Sequence, residues 1–312
     1  MKVFVTGGTG FIGTRLVASL VDDGHTCTVV SRSGANRWTS DRVTVVTADP
    51  TVRGVWQVHV GEADVVVNLA GAKIVDPPRR WTRGRKTVLH ESRIATTTCV
   101  AEAIGAAASP PQVFLSGSAI GYYGLRGDEP IEEHEPAAGD FLGGLAAEWE
   151  AATQPAADTC RVVTMRMGLP LSPDGGILQA MLPLFRSGLG GPWGDATRWL
   201  SWIHIDDAIA LMRFLIETDV NGPVNFTAPE PVTVHQFVKG LGRVLGRPAV
   251  IPAPALALRL ALGESADALL HLQRVVPRRA LEAGYEFRFA ALQPALEDLF
   301  RSQKKERPVG RS

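Results

Sequence analysis

A run of glycines placed directly behind a short apolar strand constrains this chain more than any other feature. It opens MKVFVTGGTGFIG, in which Gly8-Thr9-Gly10-Phe11-Ile12-Gly13 satisfies G-x-G-x-x-G. Gly7, Gly10 and Gly13 also fit the wider G-x-x-G-x-x-G spacing. The early glycines permit a tight turn and let backbone approach a pyrophosphate closely, while Gly13 lets a helix pack on a strand. The helix behind the turn offers unpaired N–H groups and its positive dipole end to an anion. The motif alone is weak; following a strand, opening a helix and lying in a βαβ unit give it meaning. Gly7, Thr9, Gly10, Phe11, Ile12 and Gly13 are the first candidate cofactor contacts.

The rest of the chain supplies that context. β-branched runs at 2–7, 26–32, 43–49, 64–71, 112–118 and 160–168 alternate with helical patterns, including 11–23 and 85–107. The runs are continuously apolar, as expected of parallel strands covered on both faces. Strand, helix and strand in repetition predicts right-handed crossovers and an α/β fold, a Rossmann-type doubly wound parallel sheet. Past Gly168, Pro and Gly punctuate "LPLSPDGG" and "SGLGGPWGD", "RWLSWIHIDD" reads as a strand entering a helix, and 222–228 reads as one more strand. The predicted organisation is a nucleotide-binding domain over 1–170, with about 203–228 returning to it. A smaller, mainly helical substrate lobe spans 171–202 and 229–300, and 301–312 is a disordered tail.

With 32 basic and 32 acidic residues among 312, the chain has no net charge to attract nucleic acid or an anionic membrane. Cys27, Cys99 and Cys160 lack metal-ligand spacing and read as reduced thiols of a cytoplasmic protein. No apolar run is long enough to span a bilayer, and the N-terminus reads as a strand rather than a signal peptide. The expected partner is a small-molecule substrate, with no metal, nucleic acid or membrane, in a monomer or homodimer.

An NAD site places Asp or Glu at the end of the second strand to bind the ribose 2′-hydroxyl. Here that seat holds Ser31-Arg32, with Arg37 beyond. A guanidinium and a hydroxyl favour a 2′-phosphate, so the expected cofactor is NADP(H); the alternative for Arg32 is a solvated loop position. "NLAG" (68–71) ends the fourth strand, where a ligand of an open parallel sheet lies, and small Ala70 and Gly71 let backbone come close. Asn68 there is open to a turn-capping role.

Together with "NLAGAKI", "PPRRW", "ESRIATT", "SGSAIGYYG", "WEAA", "SWIHIDD" and "VVPRRALEAGY", these residues resemble the extended short-chain dehydrogenase/reductase family. They match its atypical subgroup, which carries the epimerase name and a C-terminal domain of unknown function, over about residues 1–298. The resemblance implies NADP(H) contacts at Ser31, Arg32, Leu69, Ala70 and Arg93, and Ser116 and Gly71 join that cofactor set. It also implies a serine at Ser118 that hydrogen-bonds a substrate hydroxyl or carbonyl; a turn-stabilising hydroxyl is the other reading.

The family's usual mechanism needs a tyrosine to move a proton and a lysine four residues on to lower its pKa. The tyrosines are Tyr122, Tyr123 and Tyr285, and the residues four positions on are Arg126, Gly127 and Phe289. Where the pair belongs the chain has "GDFLGGLAAEWEAA", with Asp140 as N-cap and Phe141, Leu142, Leu145, Ala146 and Trp149 on an apolar face, Glu148 and Glu150 pointing elsewhere. Ser118, Tyr122 and Tyr123 are the candidate catalytic residues; pocket walls are the alternative for the tyrosines. In "HIDD" an aspartate is expected to cap the next helix and His204 to pack between lobes. Lys73 is expected in solvent, Arg166 near the nicotinamide or in an interlobe ion pair, and the tryptophans at 193, 199 and 202 in core or pocket. Two functions are expected to compete: an NADP(H)-dependent oxidoreductase or nucleotide-sugar-type epimerase with a non-standard proton donor, and an NADPH-binding redox sensor or partner-docking protein with little turnover.

Overall fold

The computed structural model describes residues 1–305. The first half runs β1 (Lys2–Thr6), α1 (Phe11–Asp22), β2 (Thr26–Ser31), β3 (Val43–Thr47), α2 (Val58–Gly61), β4 (Val65–Asn68), α3 (Arg83–Gly105), β5 (Val113–Ala119), α4 (Phe141–Ala151) and β6 (Arg161–Met167). Then follow β7 (Leu169–Leu171), α5 (Gly176–Arg186), β8 (Trp199–Leu200), β9 (Trp202–His204), α6 (Ile205–Glu217) and β10 (Gly222–Phe226). The chain closes with β11 (Val232–Thr233), α7 (Val234–Leu245), α8 (Ala255–Leu262), α9 (Asp267–Leu270), α10 (Arg278–Glu282) and α11 (Leu292–Lys305). The helix α11 covers the start of the expected tail; the rest of that stretch lies outside the described residues.

Seven strands form one parallel sheet in the order β10-β6-β5-β4-β1-β2-β3. Strand alternation explains why each run is apolar throughout. Val3, Val5, Val65, Val67, Val113 and Leu115 face a core completed by α1 and α6. Phe4, Val66 and Phe114 point to the other face and pack with α3 residues Val100 and Ile104. Both faces are covered, so no position on the central strands is free to be polar except toward the carboxyl ends. There a polar row crosses the sheet in register, from Thr6 to Asn68, Ser116 and Thr164. Because the order reverses at β1 and β4, the crevice opens beyond these ends.

The strand read at the start of "RWLSWIHIDD" divides in two. β8 pairs antiparallel with β11, while β9 pairs parallel with β7, outside the main sheet. Leu178, Leu182, Phe185, Trp193, Trp202, Phe237, Leu241 and Leu296 build a second core from α5, α7 and α11. The strand at 222–226 does return to the sheet, beside β6. Among the described residues no helix is long and apolar enough to cross a membrane.

Candidate functional site

At the crevice, the glycine turn and the β4 turn meet backbone to backbone. Gly7 has φ +70°, and a Cβ there would lie 2.5 Å from the Leu69 carbonyl carbon. A Cβ on Gly13 would lie 2.3 Å from the Gly7 oxygen, so only glycine lets α1 sit this close behind the turn. The amino end of α1 carries no side-chain cap and no acidic residue in its first turn. Its first N–H groups, which no helix satisfies internally, are therefore left for an outside acceptor. Thr9, Phe11 and Ile12 are half-buried around this opening. Phe11 also lies against Gly175, where a Cβ would come within 2.1 Å of its ring.

The β4 turn is held from below. Asn68 accepts from Thr6 Oγ1 (2.6 Å) and from the Ala70 amide, and donates to Thr97 Oγ1 (2.7 Å). Asn68 thus caps the turn in which Leu69 and Ala70 face the glycine loop, while Gly71 lies against the Arg93 guanidinium. Arg93, buried on α3, donates to Leu89 O and Ala72 O and lies over the Trp149 ring at 5.0 Å. Among the described residues it forms no ion pair. Burial, with a smaller push from Arg85, lowers its pKa to about 10. Ser116 on β5 is fully buried and its hydroxyl has no hydrogen-bond partner among the described residues. At the tip of β2, Ser31 is buried and contacts Ser33 Oγ at 3.3 Å, while Arg32 and Arg37 are exposed. Lys73 is exposed as well.

Two of the three catalytic candidates, Ser118 and Tyr123, fall in one hydrogen-bonded cluster, and Tyr122 joins it only through its ring. Ser118 Oγ donates to Glu150 Oε1 at 2.6 Å. The same carboxylate takes a forked pair from Arg166, Nε to Oε1 at 2.8 Å and Nη2 to Oε2 at 2.9 Å. Arg166 Nη1 donates to the Tyr123 hydroxyl, which donates to Asn225 Oδ1 at 2.6 Å. Tyr123 is fully buried, and burial, opposed by Arg166, pushes its pKa up to about 12. Burial works against the charge on Arg166, yet the hydrogen bonds and attraction of Glu150 outweigh it and raise its pKa. Tyr122 differs: it is partly exposed, its ring lies 3.6 Å from the Arg166 guanidinium carbon, and its hydroxyl has no hydrogen bond among the described residues. The third tyrosine, Tyr285, is buried and donates to Asp207 O.

Glu150 corrects the helical reading of 139–152. Asp140 does cap α4, accepting from the Gly143 amide at 2.7 Å. Glu150, however, turns toward β5 and β6 rather than away. The signal was available: Leu142, Ala146 and Glu150 recur at four-residue steps, so a carboxylate sits on the stripe that faces the sheet. Asn225 and Glu133 were also missed. Glu133 accepts the amides of Asn225 and Arg279 on one oxygen, its other oxygen is buried without a partner among the described residues, and burial raises its pKa. Nothing in their local sequence marks them, because the contacts span 92 and 146 positions.

"HIDD" is also rearranged. His204 itself caps α6, its Nδ1 accepting from the Asp206 amide, and its ring stacks on Phe289 at 4.0 Å. Asp207 binds the Arg288 and Phe289 amides across to the C-terminal segment. The carboxylates of Asp206 and Asp298 near the ring both lie within ion-pair distance of Arg288, at 3.9 and 3.7 Å. Of the tryptophans, Trp193 and Trp202 are core, and Trp199 is half-exposed beneath Arg274. A surface hollow of about 500 Å³ between α2 and α3 lies at the far end of the sheet from this cluster.

Comparison with known proteins matches this arrangement. Residues 3–227 match the model of the NAD dependent epimerase/dehydratase family, and 253–299 match a domain of unknown function, DUF1731. The epimerase family protein SDR39U1 of Mus musculus is 38% identical over 303 residues, covering 96% of this chain and 99% of the relative. Its chloroplastic homolog in Arabidopsis thaliana is also 38% identical, over 95% and 86% of the two chains. A crystal structure of human SDR39U1 with NADPH superposes with a TM-score of 0.85 at 34% identity, covering 96% of this chain and 99% of that one. With its glycine turn, seven-stranded parallel sheet and DUF1731 segment, the chain belongs to the NAD dependent epimerase/dehydratase family, in the atypical extended short-chain dehydrogenase/reductase subgroup typified by the SDR39U1 proteins.

Proposed function

We propose that this chain binds NADP(H) across the ends of β1, β2 and β4 and acts as an oxidoreductase or nucleotide-sugar-type epimerase on a small molecule taken up by the 171–202 and 229–300 lobe. The observation that carries the cofactor reading is Arg93: a buried guanidinium with no ion-pair partner among the described residues, set against the backbone of the Gly71–Ala72 turn that ends β4. A buried cation is costly unless an anion compensates it, and a dinucleotide's phosphates would do so. Gly7, Thr9, Gly10, Phe11, Ile12 and Gly13 would hold the pyrophosphate, Leu69, Ala70 and Gly71 the adenosine ribose, Ser116 the wall behind, and Ser31 and Arg32 the 2′-phosphate. The NADPH in the human relative's crystal supports that choice of nucleotide. When bound, the cofactor supplies or accepts hydride.

The chain's own residues then have divided tasks. Ser118 meets the substrate oxygen, Glu150 and Arg166 hold Ser118, and Tyr122 presents the free phenol for proton transfer. Tyr123 is fully enclosed and committed to Asn225, so it walls the site. Absence of the tyrosine–lysine pair favours the second reading, a cofactor-loaded sensor or docking protein, and one experiment divides them. Fluorescence titration is expected to give NADPH at least about ten-fold tighter binding than NADH, the size of a charge-assisted hydrogen bond, with Arg32→Ala erasing the difference. NADPH consumption is then followed against aldehydes, ketones, quinones and nucleotide sugars, with Ser118→Ala and Tyr122→Phe as controls. Tight NADPH with no turnover across the panel supports the sensor reading and ends the enzymatic one.

A further inference from the structure

We infer that Ser118 serves this site as a hydrogen-bond acceptor, so that the pocket takes its substrate by a hydroxyl (or another donor) rather than by a carbonyl, with Glu150 as the residue that sets this polarity. The inference deepens the proposed function and rests on it only for the location of the substrate. A serine hydroxyl has one hydrogen and two lone pairs. Glu150, gripped at both oxygens by Arg166, can only accept, so the 2.6 Å contact commits the single Ser118 hydrogen to Oε1. What remains on Oγ is lone-pair density.

Register places Ser118, a buried residue, at the crevice end of the sheet. β5 pairs with β4 only as far as Asn68 opposite Ser116, but with β6 as far as Ala119 opposite Met167. Ser118 therefore stands two residues beyond the point where β4 turns away. The arrangement is also rigid. Glu150 projects from α4 and Arg166 from β6, and Arg166 is fixed further by Tyr123 and by the Glu133 carbonyl. Turning the Ser118 hydrogen toward a ligand would leave Glu150 Oε1 with Arg166 Nε as its donor and give up a short charge-assisted hydrogen bond in a mostly buried place, which is costly. A ketone oxygen facing Ser118 would meet lone pairs; an alcohol would find an acceptor already polarised by a carboxylate.

The experiment compares cyclohexanol on the NADPH-loaded protein with cyclohexanone on the NADP⁺-loaded protein, two complexes that cannot turn over, by saturation-transfer NMR titration. Cofactor loading is measured first by fluorescence, so a failure of nucleotide binding is seen separately. Cyclohexanol is expected to bind more tightly than the ketone, and Ser118→Ala to weaken it about ten-fold with no gain for cyclohexanone. Glu150→Ala frees the serine hydrogen and is expected to move the alcohol-to-ketone affinity ratio toward the ketone, whereas a merely structural Glu150 would weaken both probes alike. A ketone bound as well as the alcohol in the wild type, or cyclohexanol indifferent to Ser118→Ala, overturns the inference even if Glu150→Ala does not fold.

Discussion

Replacing Gly13 by alanine tests the contact on which the crevice is built. In a helix interior, glycine to alanine ordinarily stabilises by about 0.5–1 kcal/mol through the unfolded chain's lost freedom. Gly144 in α4 is such a place, with nothing within 4 Å of an added Cβ. At Gly13 the same methyl group would meet Gly7 O at 2.3 Å, Gly8 Cα at 2.7 Å and the Gly8 carbonyl carbon at 2.9 Å. All three are backbone, so no side chain can swing aside. Overpacking of this kind costs about 1–3 kcal/mol, which outweighs the propensity gain. Gly13→Ala is therefore expected to unfold at lower urea than wild type and Gly144→Ala at higher urea. Since relief at Gly13 must push the Gly7–Gly8 turn outward, NADPH affinity is expected to fall in the first variant and to stay unchanged in the second. Matched urea curves with NADPH titrations decide it. A Gly13→Ala protein as stable as Gly144→Ala, with wild-type affinity, would refute the close approach of α1 to the turn.

Three further outcomes follow from the same geometry. Arg93→Met removes a buried charge that has no ion-pair partner among the described residues, so the ligand-free protein is expected to lose little stability, while the NADPH-induced rise in melting temperature largely disappears. Arg166→Met leaves Glu150 without its forked partner in a mostly buried site and is expected to cost about 3–5 kcal/mol in urea unfolding. His204 gives a pH dependence: burial lowers its folded pKa below the ordinary imidazole value, so the unfolded chain binds the proton first. Its contribution is present above about pH 6.5 and is lost as pH falls toward the depressed folded value. His204→Gln is expected to flatten that part of the stability-versus-pH curve.

What could be read from the sequence was what repeats or lies close along the chain. Valine-rich runs that are apolar at every position fixed a sheet covered on both faces, and the turn behind β1 fixed where its ligand edge lies. Ser31-Arg32, "NLAG" and Ser118 could be located because strand ends in a parallel sheet are positions of known meaning. The polarity of the site could not be read this way. It arises from one carboxylate, Glu150, that helical phase places on the sheet-facing stripe but whose partners come from β5 and β6, 32 and 16 positions away. Asn225 and Glu133 are further still from what they hold. His204 shows a related failure: aspartate is the better cap by propensity, yet Asp207 is drawn off to the 288–289 amides and the imidazole caps instead. In each case a polar side chain took the role set by tertiary partners. The loss of a tyrosine–lysine pair at α4 therefore says less about the chemistry than it first suggests: the helix that lost those two groups still delivers a charged residue to the serine they would have served.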